Sequence, residues 1–478
     1  MSRVVWKHSA LSLALISISP ALWANDPEPS PESPSFVAEE EGINDLAEPV
    51  NAQAGAKGFF GGQSLDVITR NFYSREQGKN ANIYRIPKGD GFETTHSRYA
   101  WVQGTRLNYQ SGYTQGTVGF GLDLSLFNAL SLERGKGRIA GGGNRTLTHS
   151  DGEAVDQWSK LGIADVRFRV SNTELKAGRF LPDTPVLVPN DNRALPSSFT
   201  GYAISSEEFS DLSLQAGRFR RASPRTGAGD QALTTEYGTR EVRAEHMTYL
   251  GGDYKLAKNL NVSLYAGQLE DVWNQYYLGV THDLGNREVL GLRTSFNLYD
   301  TRDEGSREGG YIDNTTWSLG FTLSHQAHSL TLAWQQVDGD EYFDYVNESG
   351  AIYLSNSLFS DYNGPNEKSA QIRYETDWTA YGVPGLTTGI WYAKGWDIDG
   401  THYRGDRNGA YGNYAEVRAM KNEEHHEVGL STTYVLQSGE LKNTSFRVLY
   451  MTHRASQNQI DGNLDELRIV TTLPFNLF

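Results

Sequence analysis

The chain has 478 residues, a net charge of −15, no cysteine and a mean hydropathy of −0.53. Without cysteine there is neither a disulfide framework nor a cysteine-ligated metal site, and no apolar run after residue 24 is long enough for a membrane-spanning helix. The low mean hydropathy is still compatible with a membrane β-barrel, because barrel strands alternate lipid-facing and lumen-facing side chains.

Residues 1–24 are predicted to be a secretory signal peptide. Arg3 and Lys7 supply a basic start, Ala10–Ile18 a short apolar stretch, and Leu22–Ala24 a cleavage site. The protein is therefore predicted to be exported.

Residues 25–56 differ from the rest of the chain in composition. They contain five prolines, eight acidic residues and no basic residue, a composition that predicts a disordered segment. A solvated leader is the simpler interpretation, and a periplasmic tail that contacts a partner is the alternative.

Apolar and polar side chains alternate repeatedly in residues 57–478, which are predicted to form one β-barrel domain. The polar face carries Gly, Ser, Thr and Arg along strands of about ten residues, the length with which a tilted strand crosses a bilayer. The clearest segments are 118–126, 164–170, 260–266, 290–298, 317–323, 330–334 and 428–434.

The connections between these segments alternate in length. Short turns are predicted at 171–172, 258–259 and 326–328. Long polar loops are predicted at 132–157, 218–242, 337–368 and 396–425. This pattern indicates an all-β, transmembrane antiparallel β-barrel of about 16 to 18 strands around an aqueous lumen. A soluble periplasmic β-protein is a poorer alternative.

The stretch Arg179–Pro196 interrupts the strands. Its four prolines exclude a central strand, while its apolar residues need cover. Both facts fit a loop that leaves the barrel wall and folds back into the lumen, since irregular backbone at membrane depth must line a cavity or be buried in protein. We expect its apolar side to pack on the barrel and Asn190–Arg193 to face water. A proline-rich surface turn is the alternative.

Several short motifs could suggest other functions, and none is specific. Neighbours in Glu423–Glu427 (EEHHE) point to opposite faces of a strand, so this run is not expected to converge on one metal ion. The three glycines at 141–143 lack the strand-to-helix context of a phosphate-binding loop. No catalytic arrangement of Ser, His and Asp is apparent, and the acidic net charge disfavours nucleic acid as a partner. The sequence therefore predicts no enzyme activity, no cofactor and no metal.

Several segments resemble the OprD family of outer-membrane carboxylate channels of pseudomonads and their relatives. They include SLDVITRNFYSRE (64–76), LKAGRFLPDTPVL with NDNRALP (175–196), LEDVWNQYYLG (269–279), SDYNGPNEKSAQIRYE (360–375) and LKNTSFRV (441–448). The resemblance covers the chain after the acidic segment. It implies 18 strands, with 180–196 as the inward-folded third loop and 350–368 as the seventh loop, which narrows the pore with it.

The resemblance also implies a ladder of lumenal arginines that passes carboxylates from one guanidinium to the next. The matching motifs assign Arg75, Arg98, Arg193, Arg447 and Arg468 to this predicted ladder, with Arg373 as a further lumen-phased member. Asp361 and Tyr362 in the seventh loop are expected to form an acidic, hydrogen-bonding side opposite the arginines. Leu449 and Thr433 stand where many relatives have a second arginine and some have a lysine, so the basic side is thinner here.

The sequence therefore predicts a channel of the Gram-negative outer membrane for passive uptake of small carboxylates, with cyclic or aromatic acids favoured. Selectivity for basic amino acids and peptides is the alternative within the same class, and a barrel adhesin or enzyme acting through its long loops is the alternative outside it. The expected partners are small carboxylate solutes, outer-membrane lipid and lipopolysaccharide, and the outer-membrane assembly machinery, which the terminal strand ending in Phe478 would suit. A monomer or weak homo-oligomer is expected, with no nucleic acid.

Overall fold

The computed structural model describes residues 51–80, 82–88, 91–133, 147, 155–237, 242–405 and 414–478. Strands dominate these residues. Helical structure among them is confined to a 3-10 turn at Trp378–Tyr381 and the six-residue helix α1 at Tyr414–Ala419. No helix in the described part of the chain is long and apolar enough to cross a membrane.

The described strands are, in chain order, β1 (Ser64–Gly78), β2 (Tyr84–Lys88), β3 (Gly91–Thr95), β4 (Ser97–Gln110), β5 (Gly119–Ser131), β6 (Gln157–Val170), β7 (Thr173–Phe180), β8 (Ser198–Phe209), β9 (Leu212–Ser223), β10 (Leu233–Thr234), β11 (Arg243–Ala244), β12 (Met247–Ala257), β13 (Leu260–Leu269), β14 (Trp273–Asn286), β15 (Leu290–Asp303), β16 (Asp313–His325), β17 (His328–Asp338), β18 (Lys368–Asp377), β19 (Leu386–Ile398), β20 (Glu423–Val435), β21 (Ser445–Ala455) and β22 (Leu464–Asn476).

Eighteen of these strands form one closed antiparallel sheet. Each barrel strand pairs with the next one in the chain, β9 pairs with β12, and β22 pairs with β1 to close the ring. The pairs β2–β3 and β10–β11 form small two-stranded sheets that are not part of the barrel wall. Closure gives every strand two partners, so that no sheet edge faces the lipid. The predicted all-β transmembrane barrel, with the 18 strands implied by the family resemblance, is confirmed.

The outer face is apolar because every second side chain of each strand points to lipid. In β16, Phe321 and Leu323 are exposed on this face while Ser318 is fully covered on the other. The same alternation gives Leu264, Leu332, Ile390 and Leu430 to the outer face. These side chains are exposed to water only in the isolated protein, since the bilayer covers them.

The two ends of the barrel differ in the length of their connections. The predicted two-residue turns at 171–172 and 258–259 join β6 to β7 and β12 to β13, and Gln326 and Ala327 join β16 to β17. The opposite end carries the long connections, including a second loop (132–156), third loop (181–197), fourth loop (224–246), seventh loop (339–367) and eighth loop (399–422). In outer-membrane barrels the short turns are periplasmic and the long loops extracellular.

The segment before β1 packs on the short-turn end. Gln53 is only 3% exposed and donates from Nε2 to the carbonyls of Thr114 and Gly116, while its backbone N–H donates to Ser171. Composition predicted residues 51–56 to be disordered, but these hydrogen bonds hold them against the periplasmic turns that contain Thr114, Gly116 and Ser171. Residues 1–50, with the predicted signal peptide and most of the acidic segment, lie outside the described residues.

Candidate solute pathway

A buried ion pair ties the third loop to the barrel wall. Arg70 of β1 donates from Nη1 and Nη2 to the two carboxylate oxygens of Asp191, at 2.7 and 3.0 Å. Nη1 also donates to the carbonyl of Arg193 at 2.8 Å. The Arg70 and Asp191 side chains are 5% and 3% exposed. The tip expected to face water is therefore docked against the wall, because the carboxylate of Asp191 satisfies a wall arginine.

The apolar side of the same loop packs as predicted. Phe180, Val186 and Leu187 join one hydrophobic cluster of the interior, and Ala194 and Leu195 join a second one with Phe72 of the wall. Gly104 of β4 permits this close approach, because a Cβ at that position would collide with the carbonyl oxygen of Ala194. The inward-folded third loop is thus fixed by both apolar contacts and an ion pair.

The seventh loop docks on the third loop through backbone bonds. The N–H of Asn190 donates to the carbonyl of Glu348, and the N–H of Gly350 donates to the carbonyl of Val188. The carboxylate of Glu348 in turn accepts from the fourth-loop Arg225, at 3.0 Å from both its backbone N–H and Nη1. Three loops therefore form one connected body within the barrel, which narrows the lumen.

Arginines of four adjacent strands form one basic wall, which we define as Arg106, Arg70, Arg447, Arg468 and Arg98. The strands β21, β22, β1 and β4 are consecutive in the ring, and the register places the five arginine positions on successive lumenal rungs. Counted along β1, the five arginines lie level with Ile68, Arg70, Phe72, Ser74 and Glu76, in the order in which they are named above. Two residues separate each rung from the next, a spacing of about 7 Å along the strand.

Two carboxylates share the long-loop end of the basic wall. Arg98 donates from Nε to Glu76 at 2.6 Å and lies over the ring of Tyr84, and Arg468 donates from Nε to Glu466 at 2.5 Å. The third-loop Arg193 is 7% exposed, and burial lowers the pKa of its guanidinium to about 10, a shift that the nearby carboxylates of Glu466 and Glu76 partly oppose. Three guanidiniums and two carboxylates therefore lie near one another, with one formal positive charge in excess.

Two members of the predicted site do not line the pore. Arg75 is exposed on the outer face of β1, in register with Leu467 and Tyr99, one position out of phase with the lumenal Ser74 and Glu76. Its assignment to the predicted ladder is wrong.

Tyr362 is fully buried, so its assignment as a solute contact is also wrong. Its hydroxyl donates to the carbonyl of Ala393 at 3.3 Å, and its ring lies 4.4 Å from that of His425. It packs with Leu449 and Trp391, and thereby fixes the seventh loop to the wall. Leu449 contributes to this packing.

The two remaining predicted residues contact residues outside the basic wall. Arg373 faces the lumen from β18 and pairs with Glu375 at 3.2 Å, with its guanidinium 5.8 Å from the Trp391 ring centroid. Asp361 accepts three side-chain bonds, from Tyr237 at 2.6 Å, Tyr345 at 2.7 Å and Ser357 at 2.9 Å. Burial raises the pKa of this carboxyl, and the three hydroxyl donors partly oppose that rise.

An acidic and tyrosine-rich surface lies across the lumen from the basic wall, on strands about half the ring away. Asp253 of β12 is exposed on the lumenal face and accepts from Tyr265 at 2.6 Å. Asp183 of the third loop is also exposed and bonds the seventh-loop Tyr353. We call Asp183 and Asp253 with their tyrosine partners the acidic wall.

A buried histidine pair anchors the end of the seventh loop. His453 Nδ1 donates to the carbonyl of Gly462 at 2.7 Å, so its Nε2 accepts from His425 Nδ1 at 2.8 Å. His425 Nε2 then donates to the Glu367 carboxylate at 2.6 Å. Asp461 offers an oxygen within 4.8 Å of both rings. Both nitrogens of each ring are already engaged, which supports a structural role for the cluster.

Sequence reasoning missed Arg70, Arg106, Asp253 and His453. Arg70 and Arg106 share the lumenal phase with the apolar Phe72 and Val102, so the alternation of apolar and polar residues gave no signal for either arginine. The convergence of His453 on His425 depends on strand register, which the EEHHE run alone does not contain. That run splits between the two faces as predicted, with His425 buried and Glu424 exposed.

The closed barrel, the short turns and long loops, and the inward-folded loops together define an outer-membrane channel protein. A family model described as outer membrane porin, OprD family, matches residues 57–477. The chain belongs to the OprD family of outer-membrane porins, and its place is therefore the outer membrane.

Similar proteins come from Pseudomonas aeruginosa. Porin D is 40% identical over 438 residues, which cover 90% of this chain and 94% of that protein. The crystal structure of OccD3 (OpdP) is 59% identical with a TM-score of 0.79, covering 93% of this chain and 99% of that one. OpdK crystallised with vanillate is 29% identical with a TM-score of 0.75, covering 88% and 100%.

Proposed function

We propose that this porin is a substrate-selective channel for the passive uptake of small solutes that carry a carboxylate. The observation that carries the proposal is the basic wall, five arginines on successive rungs of four adjacent strands. A guanidinium presents paired donors that match a carboxylate. Arg70 of this wall holds the third loop, and the other four arginines offer the solute a new partner at each step, with binding weak enough for release.

The protein's own carboxylates support weak binding at each rung. Glu76 and Glu466 already accept from Arg98 and Arg468, so a solute carboxylate exchanges with an existing partner instead of meeting a bare charge. The net positive charge left by Arg193 favours the anion without holding it. This exchange keeps each binding step shallow, as permeation requires.

The acidic wall can bind positively charged groups of a solute whose carboxylate contacts the basic wall. Asp183 and Asp253 are exposed to the lumen and can accept from an ammonium or guanidinium group. A zwitterion spanning both walls would satisfy both sets of charges, whereas an aromatic acid would use the basic wall alone. The geometry therefore supports basic amino acids and peptides over the cyclic acids that the sequence favoured. The vanillate complex of OpdK belongs to a relative only 29% identical.

An adhesin or enzyme acting through its long loops is the second class of function. The third, fourth and seventh loops hydrogen-bond to one another inside the barrel. The residues that make these bonds therefore lie in the lumen and do not project from the barrel. This arrangement supports the channel over a function carried by projecting loops.

The test is the flux of radiolabelled arginine, benzoate and a neutral sugar into liposomes containing the native protein, Arg193→Ala or Arg447→Ala. We expect carboxylate flux to fall by about tenfold, the loss of one charge-assisted hydrogen bond, with sugar flux unchanged. Lys394→Gln is the matched control, because Lys394 pairs with Glu424 on the outer face. Unchanged carboxylate flux in both variants would refute the role of the basic wall and of the third-loop Arg193 beside it.

A further inference from the structure

Arg75, excluded from the lumen, is a cation without a protein partner. It is exposed on the outer face of β1, and its guanidinium has no hydrogen bond, ion pair or ring contact with any residue that the structure describes. A solvated arginine needs no partner in water, but this face of the barrel lies in the membrane. The position of Arg75 along the membrane normal therefore determines whether its guanidinium contacts lipid tails, lipid headgroups or water.

The aromatic residues of the outer face locate the membrane surface. Tyr73 and Trp101 are paired across β1 and β4 one rung below Arg75, with ring centroids 6.3 Å apart. Aromatic girdles of outer-membrane barrels mark the two interfaces. Arg75 lies two residues nearer the long-loop end, about 7 Å further along the strand. That position corresponds to the headgroups of the outer leaflet.

Two further cations lie toward the same end of the barrel: Lys79 directly follows β1, and Arg454 is on β21, the second strand from β1 in the ring. Lys79 and Arg454 share the carboxylate of Asp465, at 3.0 and 2.7 Å, and their side chains are 42% and 37% exposed. A second carboxylate, Glu133, accepts from Tyr99, which is in register with Arg75. Three cations therefore face two carboxylates, and the patch retains a positive charge with Arg75 unpaired.

We propose that Arg75, Lys79 and Arg454 bind a phosphate of lipopolysaccharide in the outer leaflet. Arginine forms paired, charge-assisted hydrogen bonds to phosphate oxygens, and these are stronger at a partly dehydrated membrane surface than in water. A lipid phosphate suits the position, because it is delivered at headgroup depth beside the aromatic pair. The site lies outside the lumen, so it is independent of the proposed transport.

The test measures binding of bisphosphorylated lipid A to the purified, detergent-solubilised porin by native mass spectrometry. Lipid A stripped of its phosphates and inorganic phosphate at equal concentration are the comparison ligands. We expect the bisphosphorylated lipid to bind at least tenfold more tightly than the stripped lipid, and Arg75→Gln to remove most of that difference. Arg75→Lys should restore part of it, and inorganic phosphate should not compete.

The control is Lys258→Gln, an exposed cation at the opposite end of the barrel, which should bind as the native protein does. Heat-modifiable gel mobility and unchanged solute flux will show that Arg75→Gln is folded and open. Equal binding by native and Arg75→Gln, or equal binding of the two lipids, would overturn the proposal. Competition by inorganic phosphate would overturn it as well, because it would indicate a site for free anions.

Discussion

The ion pair between Arg70 and Asp191 is predicted to hold the third loop in the lumen. Asp191→Asn leaves the buried Arg70 guanidinium without its counter-charge. Removing one partner of a buried pair costs about 3–5 kcal/mol, and exposures of 5% and 3% leave little solvent to screen the loss. Asparagine still accepts one hydrogen bond, so we take the lower value of about 3 kcal/mol. The ratio of docked to undocked loop then falls by about 100-fold.

Single-channel recording in planar bilayers measures this change. Asp191→Asn should show a larger mean conductance and more frequent transitions between current levels than the native channel. Asp283→Asn is the matched control, because Asp283 pairs with Arg293 at 2.7 and 3.0 Å in the same two-bond geometry but lies at the short-turn end. A native conductance in Asp191→Asn would refute the anchoring role of this pair.

Three further predictions follow from the loop contacts. Gly104→Ala places a methyl group against the carbonyl of Ala194, so it should displace the third loop and raise conductance; a native conductance would contradict this. Tyr362→Ala empties a fully buried position and should lower the free energy of unfolding by about 3–5 kcal/mol, measured by urea titration, with solute selectivity unchanged. Altered selectivity at native stability would return Tyr362 to the pore. Because burial raises the pKa of Asp361, the folded state binds more protons than the unfolded state. Its contribution to stability is therefore present at low pH and lost as pH rises through the raised pKa. Asp361→Asn should flatten this part of the dependence of the thermal midpoint on pH, and an unchanged slope would argue against it.

The strands and their outer faces could be predicted because the membrane imposes a strict period of two. Lipid accepts only apolar side chains, so in segments such as 317–323 the apolar residues identify the lipid face and the residues between them identify the lumenal face. The alternation fails where the inward loops cover the wall. Phe72 is apolar yet lumenal because it packs under Leu195 of the third loop, and Tyr73 beside it faces out. With aromatic residues on both faces, the phase of Arg75 could not be obtained from the local pattern.

The third loop was predictable as an insert, and its anchor was not. Prolines and uncovered apolar residues signal a segment that needs burial, and this signal is local. The pair that docks the tip joins residues 121 positions apart. Tyr362 presents the same difficulty, because a polar side chain in a pore loop is equally compatible with lining the pore and with fastening the loop to the wall.

The measurement that tests the central claim most directly compares solutes that differ only in the carboxylate. Single-channel current through the native protein is recorded while arginine or agmatine, and then benzoate or benzyl alcohol, is added to one side. Carboxylate recognition by the basic wall predicts that arginine and benzoate interrupt the current, and that agmatine and benzyl alcohol do not at the same concentration. Equal interruption by the members of each pair would contradict the account.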